Sequence, residues 1–299
     1  MSLDAPEQAE PSVVRTIPRR YVALGLIVIA VILVAVLVVV RDHVNPSNAT
    51  SDVETFTPAP ASVVMAVSHI PTSISSAIGV TSPDNSITAP TPTGNPSLWQ
   101  SATADGGIRP VVFFYGAEFA PYAAAERWPV VVALSRFGTF NSLGLMQSSG
   151  TVAFSGTATF TFWQAQYRSV WVDLQTVERY SALDPTGIGF LPLQKPTARQ
   201  AASVAVYNTS ATTFPLLDIA NHYVLVGSSF SPAVLAGLSQ AQIVADLAVP
   251  ASPVTQAIVA SANEITAAIC TVTGQRPTAV CHERGVVLAD AVMRIHEAP

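Results

Sequence analysis

The 299-residue sequence has a single lysine, Lys195, and only 11% of its residues are charged. Soluble domains usually carry about a quarter charged residues, so the shortfall needs a cause. Beyond residue 41 there is no block of lysine or arginine, and the net charge is −5. A chain with that balance lacks the basic footprint that nucleic-acid binding requires. It has two cysteines, Cys270 and Cys281, too few for a disulfide-rich scaffold. No Gly-x-Ser-x-Gly, His-Glu-x-x-His or phosphate-loop pattern occurs, so no hydrolase or nucleotide-site motif marks a catalytic centre. Cys281-His282 offers too few ligands for a metal, so neither metal nor other cofactor is expected.

Part of the missing charge is explained by one segment. Tyr21 to Val40 is an unbroken apolar run. Twenty helical residues rise about 30 Å, enough to cross a bilayer's hydrocarbon core. A buried core helix would carry at least one polar face. The run is too long for a typical signal-peptide core, and no clear Ala-x-Ala site closes it before Arg41. The expectation is an uncleaved signal anchor. Arg15, Arg19 and Arg20 precede it, whereas Arg41 sits beside Asp42. The positive-inside rule then places residues 1–20 in the cytoplasm, 21–40 in the cell membrane and the remainder outside.

Residues 41–105 read as an extracytoplasmic stalk. They carry turn-prone stretches such as Asn45-Pro46 and the Pro/Ser/Thr-rich Thr88-Ala-Pro-Thr-Pro-Thr93. Within the stalk, Val63, Val64, Val67 and Ile70 share a helical face that needs cover, and Pro71 breaks the run. A folded domain is expected over 106–299. Val111–Tyr115 reads as a strand, Pro121–Phe137 as a helix that Pro129 should kink, and Thr157–Phe162 and Ser169–Val177 as strands. Lys195–Tyr207 reads as helical. Pro215–Ile219 and Tyr223–Gly227 form a hairpin, and Pro232–Leu238, Gln240–Leu247, Ser252–Ile269 and Gly285–Ile295 are helices. An even cysteine count outside the cell reads as one disulfide. The fold class is α/β.

The block Gly116-Ala-Glu-Phe-Ala-Pro-Tyr-Ala-Ala-Ala-Glu-Arg-Trp128, followed by Ala133-Leu-Ser-Arg-Phe-Gly138, resembles a family of membrane-anchored, thioredoxin-like proteins, itself a domain of unknown function. Its members typically read G-A-E-F-C-P-Y-C-A-A-E-R-W. The resemblance extends over about residues 55–299, through Thr159-Phe-Thr-Phe162, Phe214-Pro-Leu-Leu-Asp-Ile219 and the two cysteines. It implies a thioredoxin-like fold with an inserted helical segment at Lys195–Tyr207, and a thiol–disulfide role. In that fold Cys-x-x-Cys sits at a helix N-terminus, which lowers the pKa of the first thiol. Here the positions read Ala120-Pro121-Tyr122-Ala123. Alanine has no sulfur, so no mixed disulfide or redox couple can form there.

The degenerate site is therefore assigned no catalytic residue; whether the chain is an enzyme stays open, with the two alanines leaning against it. Glu118, Phe119, Tyr122, Phe214 and Pro215 are the candidate binding residues. The resemblance places Phe214-Pro215 at the cis-proline turn beside the site, where an extended peptide pairs with backbone; peptide binding of that kind needs no sulfur. Glu118 reads as a cap or hydrogen bond at the helix start, Trp128 as core, and Glu126, Arg127 and Arg136 as surface or interdomain ion pairs. Three functions compete: a non-catalytic binding or accessory module for an extracytoplasmic or membrane protein, a thiol–disulfide oxidoreductase whose cysteines have been replaced, and a passive subunit of a membrane complex.

Overall fold

The computed structural model describes residues 56–81, 87–150, 152–183, 189–208 and 213–297. The expected cytoplasmic tail, the apolar run at 21–40 and the first part of the expected stalk lie outside the described residues. Among the described residues no single helix is long and apolar enough to cross a membrane.

The chain is organised around β4 (Ile108–Gly116), whose last seven residues are buried. Val111, Val112, Phe113 and Phe114 are wholly inaccessible. A strand covered on both faces reads as a continuous apolar run rather than an alternation, which is how it stands in the sequence. β7 (Asp173–Glu178) lies parallel to it, Val111 opposite Asp173 and Gly116 opposite Glu178. β8 (Leu216–Ile219) lies antiparallel on the other side. β9 (Tyr223–Val226) returns beside β8 across the turn at Ala220-Asn221, where both residues have positive φ. The main sheet thus runs β7, β4, β8, β9, with β2 (Thr91–Pro92) at the β9 edge and β3 (Gln100–Ala102) pairing the first residues of β4.

A second sheet joins β1 (Thr57–Pro58), β5 (Gly138–Gln147) and β6 (Ala158–Ser169). The β5–β6 hairpin is long and irregular, with register shifts near Ser142. Two glycines of β5 mark close approaches. A Cβ on Gly138 would fall 2.3 Å from the Arg168 carbonyl oxygen, and one on Gly144 2.6 Å from Thr161 Cγ2.

Two helices form the core between and behind these sheets. α3 (Pro121–Ser135) follows β4, and thirteen of its fifteen residues are buried. α6 (Pro253–Val272) packs on it and is buried over nearly its whole length. Both are rich in alanine and valine, as helices covered on nearly every side are, and the charged residues they carry, Glu126, Arg127 and Glu264, are buried with them. Trp128 of α3 is fully buried, donating its indole N–H to the Ala158 carbonyl at 2.9 Å. The helix continues without a break through Pro129.

The smaller helices are peripheral. α1 (Ala61–Ser68) and α2 (Thr72–Ile78) pack on this body, α1 against α3 and β5. α4 (Ala198–Tyr207) starts three residues later than the sequence implies, at a Thr197/Gln200 capping box. A 3-10 turn (Pro232–Leu235) and α5 (Gln240–Asp246) precede α6. α7 (Thr278–Cys281) and α8 (Arg284–Glu297) end the chain.

The folded domain is expected from residue 106, with the stalk's short helices packed on it. The second compact unit of the chain starts at Glu54, and residues 56–105 supply β1, β2, β3, α1 and α2 to it. Trp99 is buried, and its backbone N–H donates to Ala220 O at 2.8 Å. A Pro/Thr-rich segment has little apolar area to bury, but its backbone can pair with existing strands all the same.

Cys270, at the end of α6, is disulfide-bonded to Cys281 in α7, and both are buried. Closing a loop of this length is worth about 2–3 kcal/mol on the chain-entropy account. Replacing both by serine should lower stability by about that amount in urea unfolding, and peptide mapping of the unreduced protein should recover the linked pair. Full alkylation of both thiols in the folded, oxidised protein would contradict this.

Candidate functional site

The turn between β4 and α3 carries the degenerate motif. Ala120 is the N-cap with extended backbone, Pro121 occupies the first turn, and no side chain caps the helix. Pro at this position loses nothing, since its missing N–H would have been unsatisfied. The two alanines differ in setting: Ala120 is 6% exposed and Ala123 wholly buried. Pro121 is also buried, and Tyr122 between the alanines is 45% exposed.

The Phe214–Pro215 peptide bond is cis, and the Pro215 carbonyl accepts from Gly227 N at 2.8 Å. Phe119 and Phe214 meet edge to face with centroids 5.8 Å apart. The structure therefore brings together Phe119, Tyr122, Phe214 and Pro215 with the alanine turn.

It adds aromatics that sequence reasoning missed. Phe190 stacks on Phe119 at 4.1 Å and 6°. Tyr180 packs against Phe119 and Phe214 at 6.2 and 6.3 Å, and Tyr115 lies 5.3 Å from Phe214. On the other side Phe154 meets Tyr122 edge to face at 6.1 Å. The loop bearing Phe154 is tied to the turn by Ser149 N, which donates to Phe119 O at 3.2 Å. Four of the protein's exposed large apolar side chains, Tyr122, Phe154, Leu183 and Leu191, belong to this turn and its two flanking loops. These loops have no periodicity, so only their aromatic content could have signalled them.

Glu118 does not cap the helix. It is 1% exposed and points toward β6, where Thr161 Oγ1 donates to it. Its backbone N–H donates to Tyr180 O at 2.9 Å. It is a structural support beneath the turn, and its carboxylate does not stand on the exposed face.

The surface ion pairs expected on α3 are also corrected. Arg127 and Glu178 form a pair with both side chains inaccessible: Nε donates to Oε1 at 2.9 Å and Nη2 to Oε2 at 2.6 Å. Nη2 also donates to the Ala117 carbonyl at 3.2 Å. Arg136 donates to Thr266 Oγ1 of α6 and Ser75 Oγ of α2, and burial holds its guanidinium down to about 10. Glu126 is wholly buried and accepts from Ser229 N at 2.6 Å and Ser229 Oγ at 3.0 Å. Burial pushes its carboxyl up to about 8 against the pull of the Ser229 hydrogen bonds, and the charge of Glu264 on α6 pushes the same way. Glu264 is itself raised to about 7 by burial.

Among the described residues no three His, Cys, Asp or Glu side chains are grouped so as to hold a metal ion.

Residues 103–186 match a family model described as a domain of unknown function (DUF929). The match runs from the β3–β4 turn through the alanine turn, α3 and the β5–β6 hairpin to just beyond β7. No curated protein matches the chain, and no solved structure does.

Two measurements follow. Arg127→Met leaves Glu178 buried without its partner and should cost about 3–5 kcal/mol; adding Glu178→Leu should recover part of that loss, and an equal or larger loss in the double variant would contradict the pairing. For Glu126 and Glu264 the folded carboxyls bind protons more tightly than the unfolded ones. Their contribution is fully present below about pH 4.5 and is lost as pH rises through 7 to 8, at most about 1.4 kcal/mol per pH unit for each group. Glu126→Gln should flatten the fall in stability between pH 5 and 8, and an unchanged slope would remove Glu126 as its source.

Proposed function

We propose that the chain is a membrane-anchored protein whose outer domain has a thioredoxin-like fold and holds a partner protein, without redox chemistry of its own, at the face around Ala120 and Tyr122. Support for the fold comes from the strand order β7, β4, β8, β9, with β7 parallel and β8 antiparallel to β4. Two further features agree: a helix starts directly after β4, and a cis-proline precedes β8. The anchor reading rests on the apolar run at 21–40 and its arginine asymmetry.

The observation that carries the binding reading is the exposed rim formed by the edge-to-face pair of Tyr122 and Phe154 beside two sulfur-free positions, with Leu183 and Leu191 exposed on the loop after β7. Aromatic side chains exposed beside a groove are the residues that anchor protein partners. The only sulfur pair is Cys270–Cys281, joined near the other end of the chain. β8 is paired on both edges, so backbone pairing by a partner would be confined to the residues ahead of Leu216. Side-chain contact with the rim is then the larger source of affinity.

A second reading, an oxidoreductase with both cysteines replaced, draws on the asymmetry of the alanines. A nearly buried first position and a wholly buried second one is the arrangement an attacking and a resolving thiol would need.

The readings separate in one set of experiments. A photo-crosslinking residue at position 122 of the full chain in native membranes should capture a discrete partner. Tyr122→Ala with Phe154→Ala should then weaken binding of that partner by at least about tenfold, as central aromatic contacts do. Undiminished binding would refute the rim. Ala120→Cys with Ala123→Cys should create a redox pair whose first thiol titrates below about 8.5. Two cysteine codons at these positions in the encoding gene would decide for the oxidoreductase.

A further inference from the structure

α1 carries two clefts that the rim does not involve. One, of about 320 Å³, lies between α1 and β5 and is lined by Pro58, Ala59, Val64, Met65, Phe140 and Leu143, among others. The other, of about 220 Å³, lies along the same helix near His69 and Gly138. Val64 and Met65 line both, and Met65 stands between them 63% exposed. Ala61, Met65 and His69 recur every fourth residue and form the helix's exposed stripe, as that spacing requires. The buried residue of α1 is Val67, turned toward the body.

Two features decide what covers this stripe. From Phe56 to Thr81 there is no Asp, Glu, Lys or Arg. A surface without Asp, Glu, Lys or Arg offers a protein partner no ion pair to set register, and sets no such charge at a lipid boundary. The second feature is chain length. The apolar run ends at Val40, and residues 41–55 join it to Phe56. Fully extended, they reach at most about 50 Å. α1 is the first helix of the body after this tether. Tethering turns a weak surface contact into an intramolecular one at high effective concentration.

We propose that the exposed stripe of α1 rests on the outer leaflet of the bilayer, with Met65 set into the headgroup–acyl boundary. The proposal rests on the membrane-anchor reading. The seated α1 leaves the rim around Tyr122 to the partner protein. The occupant is the lipid surface itself and not a second copy of the chain.

The test uses the full chain reconstituted in phosphatidylcholine vesicles. Both native cysteines are joined to each other, so Met65→Cys provides a unique position for an environment-sensitive fluorophore. Lys195→Cys, on the exposed loop before α4, is the reference, and Ala61→Cys is a second reporter should the first fold poorly. Vesicle flotation is read on the same samples. The expected result is a blue-shifted label at 65, quenched about twofold or more by lipids spin-labelled near the headgroup, the depth at which interfacial helices sit. The label at 195 should remain unquenched. A chain that floats with the vesicles while its label at 65 stays aqueous overturns the proposal and leaves the anchor standing. A chain that does not float overturns both. Excimer formation by a pyrene label at 65, without lipid quenching, assigns the face to a second copy and also overturns it.

Discussion

The ion pair between Arg127 and Glu178 is the constraint on which the position of the candidate site depends. Each charge is expensive to bury alone, and the pair is tolerated because its hydrogen bonds are satisfied by more than each other. Ala117 O accepts from Arg127, and Phe162 N donates to Glu178. One guanidinium thus ties α3 to β7 and to the turn that leads into Ala120. Gly116 completes the arrangement. A Cβ there would lie 2.5 Å from the Phe114 ring and 3.1 Å from Glu178 Oε2, so the carboxylate can approach only because the residue beside it has no side chain.

α3 uses its two adjacent charges in opposite directions. Neighbouring residues on a helix point about 100° apart. Arg127 therefore reaches β7 while Glu126 reaches the Ser229 segment and faces Glu264 of α6. The first is a bidentate pair that leaves Arg127 Nη1 buried without a hydrogen-bond partner; the second is a carboxyl that accepts from Ser229 N and Oγ beside a second acid, and burial pushes it up to about 8. Ser229 O also accepts from Thr88 N, so one buried carboxyl joins α3, the segment after β9 and the N-terminal part of the body. The low charge content of the chain is consistent with this economy: the few charged residues on α3 are structural rather than solvating.

How far the sequence could be read follows from what kind of signal each element leaves. β4 is a run of apolar residues ended by a turn, and Pro121 opens the helix, so strand, turn and helix were all legible. So was the β8–β9 hairpin, bracketed by Pro215 and Ala220-Asn221-His222. β5 was not read, because Gly138, Asn141, Ser142 and Gly144 break any alternation. Those residues are there for close approach and irregular register, which a pattern cannot show. Glu126-Arg127 reads as a solvated pair in any window of sequence; only the partners at 178 and 229, far along the chain, reveal burial. The strand pairing of residues 91–102 left no mark in the sequence for a related reason. Backbone pairing by Thr91-Pro92 or Gln100–Ala102 needs no hydrophobic pattern. At the site, Phe119, Tyr122, Phe214 and Pro215 were legible through their motif, whereas Phe154, Tyr180 and Phe190 lie in loops where position depends on tertiary contact alone.

The aromatic rim and the alanines bear on each other. A thiol at position 120 would supply affinity by covalent capture, and its surroundings would need only to admit a partner's cysteine. Without sulfur, every bond to a partner must be non-covalent, and the apolar area offered near the turn has to supply it. Tyr122 and Phe154 expose that area at the helix N-terminus, while the stack of Phe119 on Phe190 and the contacts of Phe214 hold the adjoining loops in place from beneath. Ordered loops lose less entropy on binding than mobile ones. The same aromatic contacts that bury the inner ring therefore preorganise the outer one, which is the physical requirement that the proposed binding face would have to meet.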